Sequence, residues 1–61
     1  MIVISRRKFN RKEYFGGFNP NITPTWVPLE WAVVYSTRRA AQKVRRYLLD
    51  KYSYSVATES V

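Results

Sequence analysis

The chain reads as a small α+β domain, an antiparallel sheet of three or four strands in the order β-β-β-α-β with one amphipathic basic helix packed on a face. Three observations predict this class. The first residues are β-branched and apolar, Ser36 to Tyr52 carries a helical period, and the last residues return to an alternation of polar and apolar side chains. At 61 residues the sequence predicts one domain over 1–61, which buries about 60% of its unfolded surface and holds only a few kcal/mol of net stability. Ten aromatic residues make a core of that size feasible, because each large ring can bury roughly 150 to 250 Å².

Met1 to Lys8 is predicted as the first strand, Asn10 as a turn, and Lys12 to Phe18 as the second strand of a hairpin. Gly16 to Pro28 holds two glycines and three prolines, which forbids a regular helix and disfavours a central strand. Phe18, Ile22, Trp26 and Val27 within it are apolar enough to fold back on the core, so an ordered loop is expected rather than a linker. Gly16-Gly17 reads as a bend or bulge. Glu30 to Tyr35 fits a short buried strand or a helical turn over Leu29 to Val33, and extended structure is the favoured assignment. Ser36 or Thr37 supplies the side-chain oxygen that caps a helix starting there. Lys51 sits near the helix C-terminus, and Tyr52 to Thr58 alternates as a closing strand with Tyr52, Tyr54 and Val56 on one face.

At about 100° per residue, Ala40, Ala41, Val44, Tyr47 and Leu48 form an apolar stripe on the helix, opposite a cationic wall of Arg38, Arg39, Lys43, Arg45 and Arg46. Guanidinium groups grip phosphate oxygens through a planar two-donor fork, so the wall suits a nucleic-acid backbone, with Arg38, Arg45 and Arg46 at its centre. A second basic cluster, Arg6, Arg7 and Lys8 with Arg11 and Lys12, brackets Phe9 near the hairpin turn. Cations interleaved with an aromatic can hold phosphates while the ring stacks a base. About five phosphate contacts predict a log-log salt slope near −4.5, a fall of several hundredfold in affinity between roughly 50 and 200 mM salt. Eleven Lys and Arg against four acids, a net +7, agree with an anionic partner, whether DNA, RNA or an acidic groove on a host protein.

No cysteine is present, so disulfides and thiolate metal sites are excluded and an intracellular, cytoplasmic setting in a host cell is expected. The apolar N-terminal run is too short for a signal peptide or a membrane span, and the chain is expected to be soluble and mature as written. Histidine is also missing, which removes the usual general base. Glu13, Glu30, Asp50 and Glu59 are scattered without a pairing pattern, so neither catalysis nor a metal or cofactor is expected. A membrane-surface role would need the apolar stripe that the core consumes. Trp26, with Ile22 and Val27 on the Pro-bounded loop, is a protein-binding anchor if exposed, although both tryptophans are expected mainly in the core. An uncovered sheet edge leaves pairing with a second copy open.

The series Trp26, Leu29, Ala32, Val34, Tyr35, Ser36-Thr37, Ala41, Val44 and Leu48 resembles a pattern in small uncharacterised proteins of phages and prophages. These have an N-terminal hairpin, a Trp-containing loop, an Ala-x-Val-aromatic strand, a Ser/Thr helix start and a closing strand. The resemblance spans Met1 to Thr58, rests on core and cap positions, and implies a mobile-element origin. More loosely, the β-α-β half is similar to short phage proteins that inhibit host RNA polymerase and to anti-CRISPR proteins of this size. It departs from the former by its basic helix, where an acidic surface is expected, and no functional residue is carried over from either. Two functions follow as expectations: a non-enzymatic accessory protein that binds nucleic acid, or an inhibitor that docks on a host or defence protein.

Overall fold

The computed structural model describes residues 1–61. Strands β1 (Ile2–Lys8), β2 (Arg11–Phe18), β3 (Pro24–Val27) and β4 (Ala57–Ser60) form one antiparallel sheet in the order β3-β2-β1-β4, and helix α1 (Arg38–Tyr52) packs on one face. The α+β class is therefore as the periodicities predict. β1 lies between β2 and β4, and its Ile-Val-Ile-Ser run is buried on both faces as a central strand requires. Ile2 and Ile4 point to the helix and join Phe15, Ala41, Leu48 and Val56 in the core. Val3 and Ser5 are buried on the opposite face, where an ion pair between Lys12 of β2 and Glu59 of β4 spans β1.

The helix starts at Thr37, whose Oγ1 accepts a hydrogen bond from the Ala40 N–H at 3.2 Å, satisfying one of the donors left free in the first turn. It ends at Ser53, which takes a left-handed φ of 59° while its N–H donates to the Leu49 carbonyl and the Tyr54 N–H donates to the Leu48 carbonyl. This cap revises the closing strand. Tyr52 is helical and Tyr54 belongs to the connector, so the alternation over Tyr52 to Val56 arises from a helix end folding onto the core. The strand itself begins at Ala57.

The Pro-rich segment holds a strand that composition argues against. Asn19 builds a tight reversal, its Oδ1 accepting from the Asn21 and Thr23 N–H groups at 2.9 and 3.0 Å. Pro24 then opens β3 at the sheet edge, where a missing N–H costs no ladder bond. Gly16-Gly17 is the expected irregularity: the β2–β3 register shifts between Phe15 and Phe18, and Gly17 has φ +96°. A Cβ on Gly16 would come within 2.8 Å of both Val27 methyls, so β3 lies too close for any side chain there.

The strand expected over Glu30 to Tyr35 is not formed as such. Leu29–Trp31 is a single 3-10 turn after Pro28, and the extended residues that follow make only local contacts with the sheet. Val33 N–H donates to the Phe15 carbonyl, and Tyr35 exchanges both backbone hydrogen bonds with Ile2 at 2.8 and 2.9 Å. The segment thus lies between β1 and β2 where their pairing has ended at Ser5–Tyr14. Burial pushes the Tyr35 phenol above its ordinary pKa. Trp31, expected in the core, is 73% exposed.

Six rings close a circuit between sheet and helix: Phe15, Phe18, Tyr47, Tyr52, Tyr54 and Trp26, each 5.2 to 6.3 Å from the next. Most meet edge to face, the favoured geometry for opposed quadrupoles, while Tyr52 and Tyr54 stack. The Tyr52 hydroxyl donates to the Ile22 carbonyl, tying the helix end to the β2–β3 turn.

Candidate nucleic-acid interface

β4 stops at the pair Ser5–Ala57 and β3 at Tyr14–Val27, whereas β1 and β2 continue to Lys8–Arg11. Residues Arg6 to Glu13 therefore project from the sheet as a two-stranded ribbon without flanking strands. Two residues turn it, Phe9 and Asn10, with φ of 52° and 63°. Paired positive φ values are the mark of the type I′ turn, whose twist matches a two-residue hairpin. Asn suits that conformation; Phe does not. The Phe9 side chain packs on nothing in the core, and the residue is 86% exposed.

Side chains alternate across the ribbon, so Lys8 and Arg11 face each other on the helix side, with Arg7 and Lys12 opposed on the other. Like charges directly opposite destabilise a hairpin. Two of the five cations are neutralised. Arg6 bonds the Glu13 carboxylate at 3.0 and 3.1 Å, and its guanidinium lies 4.1 Å from the Trp26 ring centre and 5.5 Å from that of Tyr54. The Lys12 ammonium sits 2.7 Å from both oxygens of Glu59, and together with the Ser5 hydroxyl it holds the Glu59 carboxyl below its ordinary pKa. Arg7, Lys8 and Arg11 have no carboxylate partner.

The helix wall divides in the same way. Arg38 donates through Nη1 to Thr58 Oγ1 at 3.1 Å, and Arg45 donates through Nε to the Val56 carbonyl at 2.9 Å. Both arginines fasten the helix flank to β4 and its connector. Arg39, Lys43 and Arg46, spaced i, i+4 and i+7, share the outward ridge, exposed and without an ion-pair partner. The grouping of Arg38, Arg45 and Arg46 is thus replaced by Arg39, Lys43 and Arg46. Arg45 nevertheless borders a cleft with Ser55 and Val56 that adjoins another lined by Arg6 and Arg7, so ribbon root and helix flank meet at this connector.

The three residues read as a protein-binding loop separate. Trp26 is half-buried against Phe15 and Tyr54 beneath Arg6, Val27 lies on the opposite sheet face at the end of β3, and Ile22 is exposed in the turn. No three acidic side chains come together in a way that would hold a metal ion, and no helix is long and apolar enough to cross a membrane. Sequence reasoning missed the left-handed Phe9. The available signal was a two-residue gap, Phe9-Asn10, between the basic runs Arg6-Arg7-Lys8 and Arg11-Lys12. No protein-family model matches the chain, and neither the characterised proteins nor the solved structures include a significant match.

Proposed function

We propose that this protein binds nucleic acid without catalysis, gripping the phosphodiester backbone with its projecting ribbon and the outward ridge of its helix. One observation carries the reading. A ribbon free of flanking strands holds Arg7, Lys8 and Arg11 without carboxylate partners, two of the three arranged as an opposed like-charge pair whose repulsion an anionic ligand relieves. Arg39, Lys43 and Arg46 form a second unpaired surface on a rigid element. Few uncharged polar side chains stand among these cations, so contacts to phosphate outnumber those to base edges. The mobile-element origin implied by the resemblance, and a cytoplasmic site of action in a host cell, belong to the same reading.

Each phosphate neutralised on duplex DNA contributes about −0.9 to the log-log salt slope, so six cations predict a slope near −5 and the ribbon alone one near −2.7. Fluorescence anisotropy of labelled DNA and RNA across a salt series measures it. Replacing Arg7, Lys8 and Arg11 together by Ala should remove roughly half of the slope. Flat titrations at low salt would overturn the reading.

A second reading, an inhibitor docking on a host or defence protein, rests on Trp31, exposed beside the exposed Leu29 and close in sequence to the exposed Val34. Capture of one cellular protein, lost on Trp31→Ala and indifferent to the ribbon variant, would favour it over nucleic-acid binding.

A further inference from the structure

We infer that Phe9 stacks on an unpaired nucleobase, so that the ribbon takes single-stranded or gapped nucleic acid in preference to intact duplex. The inference rests on the nucleic-acid reading above and names the form of its ligand. A bulky ring in the left-handed region is uncommon, and the type I′ turn selects Asn, Asp or Gly at both central positions. Phe9 contributes almost no burial in return, being 86% exposed at the apex of a ribbon that has no flanking strand from Arg6 to Glu13. Neither turn chemistry nor core packing accounts for the residue, which leaves a contact made outside the chain.

The surroundings define that contact. Lys8 Nζ lies 5.6 Å from the ring centre, Arg11 is its cross-strand partner, Arg7 is next on the opposite face, and none forms an ion pair with a carboxylate. A partner must therefore offer negative charge within a side chain's length of an apolar flat surface. A nucleotide does so, its phosphate meeting the cations while its base lies on the ring. A bilayer surface also presents anions, but interfacial binding scales with buried apolar area, and one ring supplies little of it. Entering a duplex step as a wedge would require the ring to unstack two base pairs, a cost met by architectural proteins through bending DNA around a much larger surface than this ribbon has. An unpaired base carries no such cost.

The test compares a fluorescein-labelled oligothymidylate with a blunt mixed-sequence duplex of equal length, titrated with the wild-type chain, Phe9→Asn and Phe9→Tyr at one moderate salt concentration. Asn keeps the turn and removes the ring; Tyr keeps the ring. Thermal melts of the free variants check that each remains folded. The expected result is a loss of roughly 5- to 150-fold in single-strand affinity for Phe9→Asn, the range of one base-aromatic stack, with duplex affinity unchanged and Phe9→Tyr close to wild type. A single-stranded probe containing 2-aminopurine should be quenched by wild type and not by Phe9→Asn. Equal affinities of wild type and Phe9→Asn for the single strand would overturn the inference while leaving backbone binding in place, since the Arg7, Lys8 and Arg11 variant would still lose it. Absence of binding to either probe at low salt would remove the nucleic-acid reading and the inference with it. Phe9-dependent capture on phosphatidylserine vesicles, without effect on the oligonucleotide, would overturn it in favour of a membrane surface.

Discussion

Arg45 and Arg46 are neighbours in sequence and alike in composition, yet their replacement by Ala should have opposite consequences. The Arg45 Nε–H holds the carbonyl of Val56, a buried residue at the point where the connector from the helix becomes β4. Arg45→Ala removes a charge-assisted hydrogen bond at a partly solvated site, which costs about 1 kcal/mol once water partly replaces the donor. For a domain of this size that lowers Tm by roughly 4 to 8 °C. Arg46 makes no bond within the chain, so Arg46→Ala should stay within about 0.5 kcal/mol of wild type. Binding should reverse the order, because a free ridge cation lost to Ala reduces the duplex salt slope by about 0.9. Arg45→Ala should leave that slope nearly unchanged. Differential scanning fluorimetry and salt-series anisotropy on the two single variants measure both effects. Equal melting temperatures, or a larger slope change for Arg45→Ala, would refute the division of the helix wall into fastening and free arginines.

Two further outcomes follow from the core and the sheet. Leu48 is fully buried among Ile4, Phe15 and Val56, and Leu48→Ala should cost about 3 to 5 kcal/mol, much of what a chain this small possesses; circular dichroism in urea should show a midpoint near zero denaturant. Glu59 has its folded-state pKa depressed, first through the hydrogen bond from Lys12 and then through that from Ser5, so its contribution is complete above the ordinary carboxylate value of the unfolded chain and is lost as pH falls through the lower folded value. Urea midpoints between pH 6 and pH 2 should drop more steeply for wild type than for Glu59→Gln.

Several structural choices that depend on residues a few positions apart were determined by the amino-acid sequence. Thr37 capping a helix, the stripe of Ala41, Val44 and Leu48, the strand character of Ile2 to Lys8 and the Gly16-Gly17 bulge all follow from local periods and backbone freedom. The strand at Pro24 escaped because a proline is unfavourable only inside a sheet, and whether β3 is central or at the edge depends on the whole strand order. Tyr52 to Val56 misled for a related reason: alternation records which side chains are buried, and a helix cap folding onto a core buries alternate residues as a strand does.

The basic surface divides along the same line. Eleven cations and four acids determined that the chain carries positive charge and that an anionic partner suits it. Which cations remain free was decided by register between distant segments: Lys12 meets Glu59, Arg38 meets Thr58, Arg45 meets the Val56 carbonyl and Arg6 lies on Trp26. A hydrogen bond needs its donor and acceptor within about 3 Å, a condition that chain separation says nothing about until the sheet is assembled. Only then do Arg7, Lys8 and Arg11 stand apart on the ribbon with Phe9 at its tip.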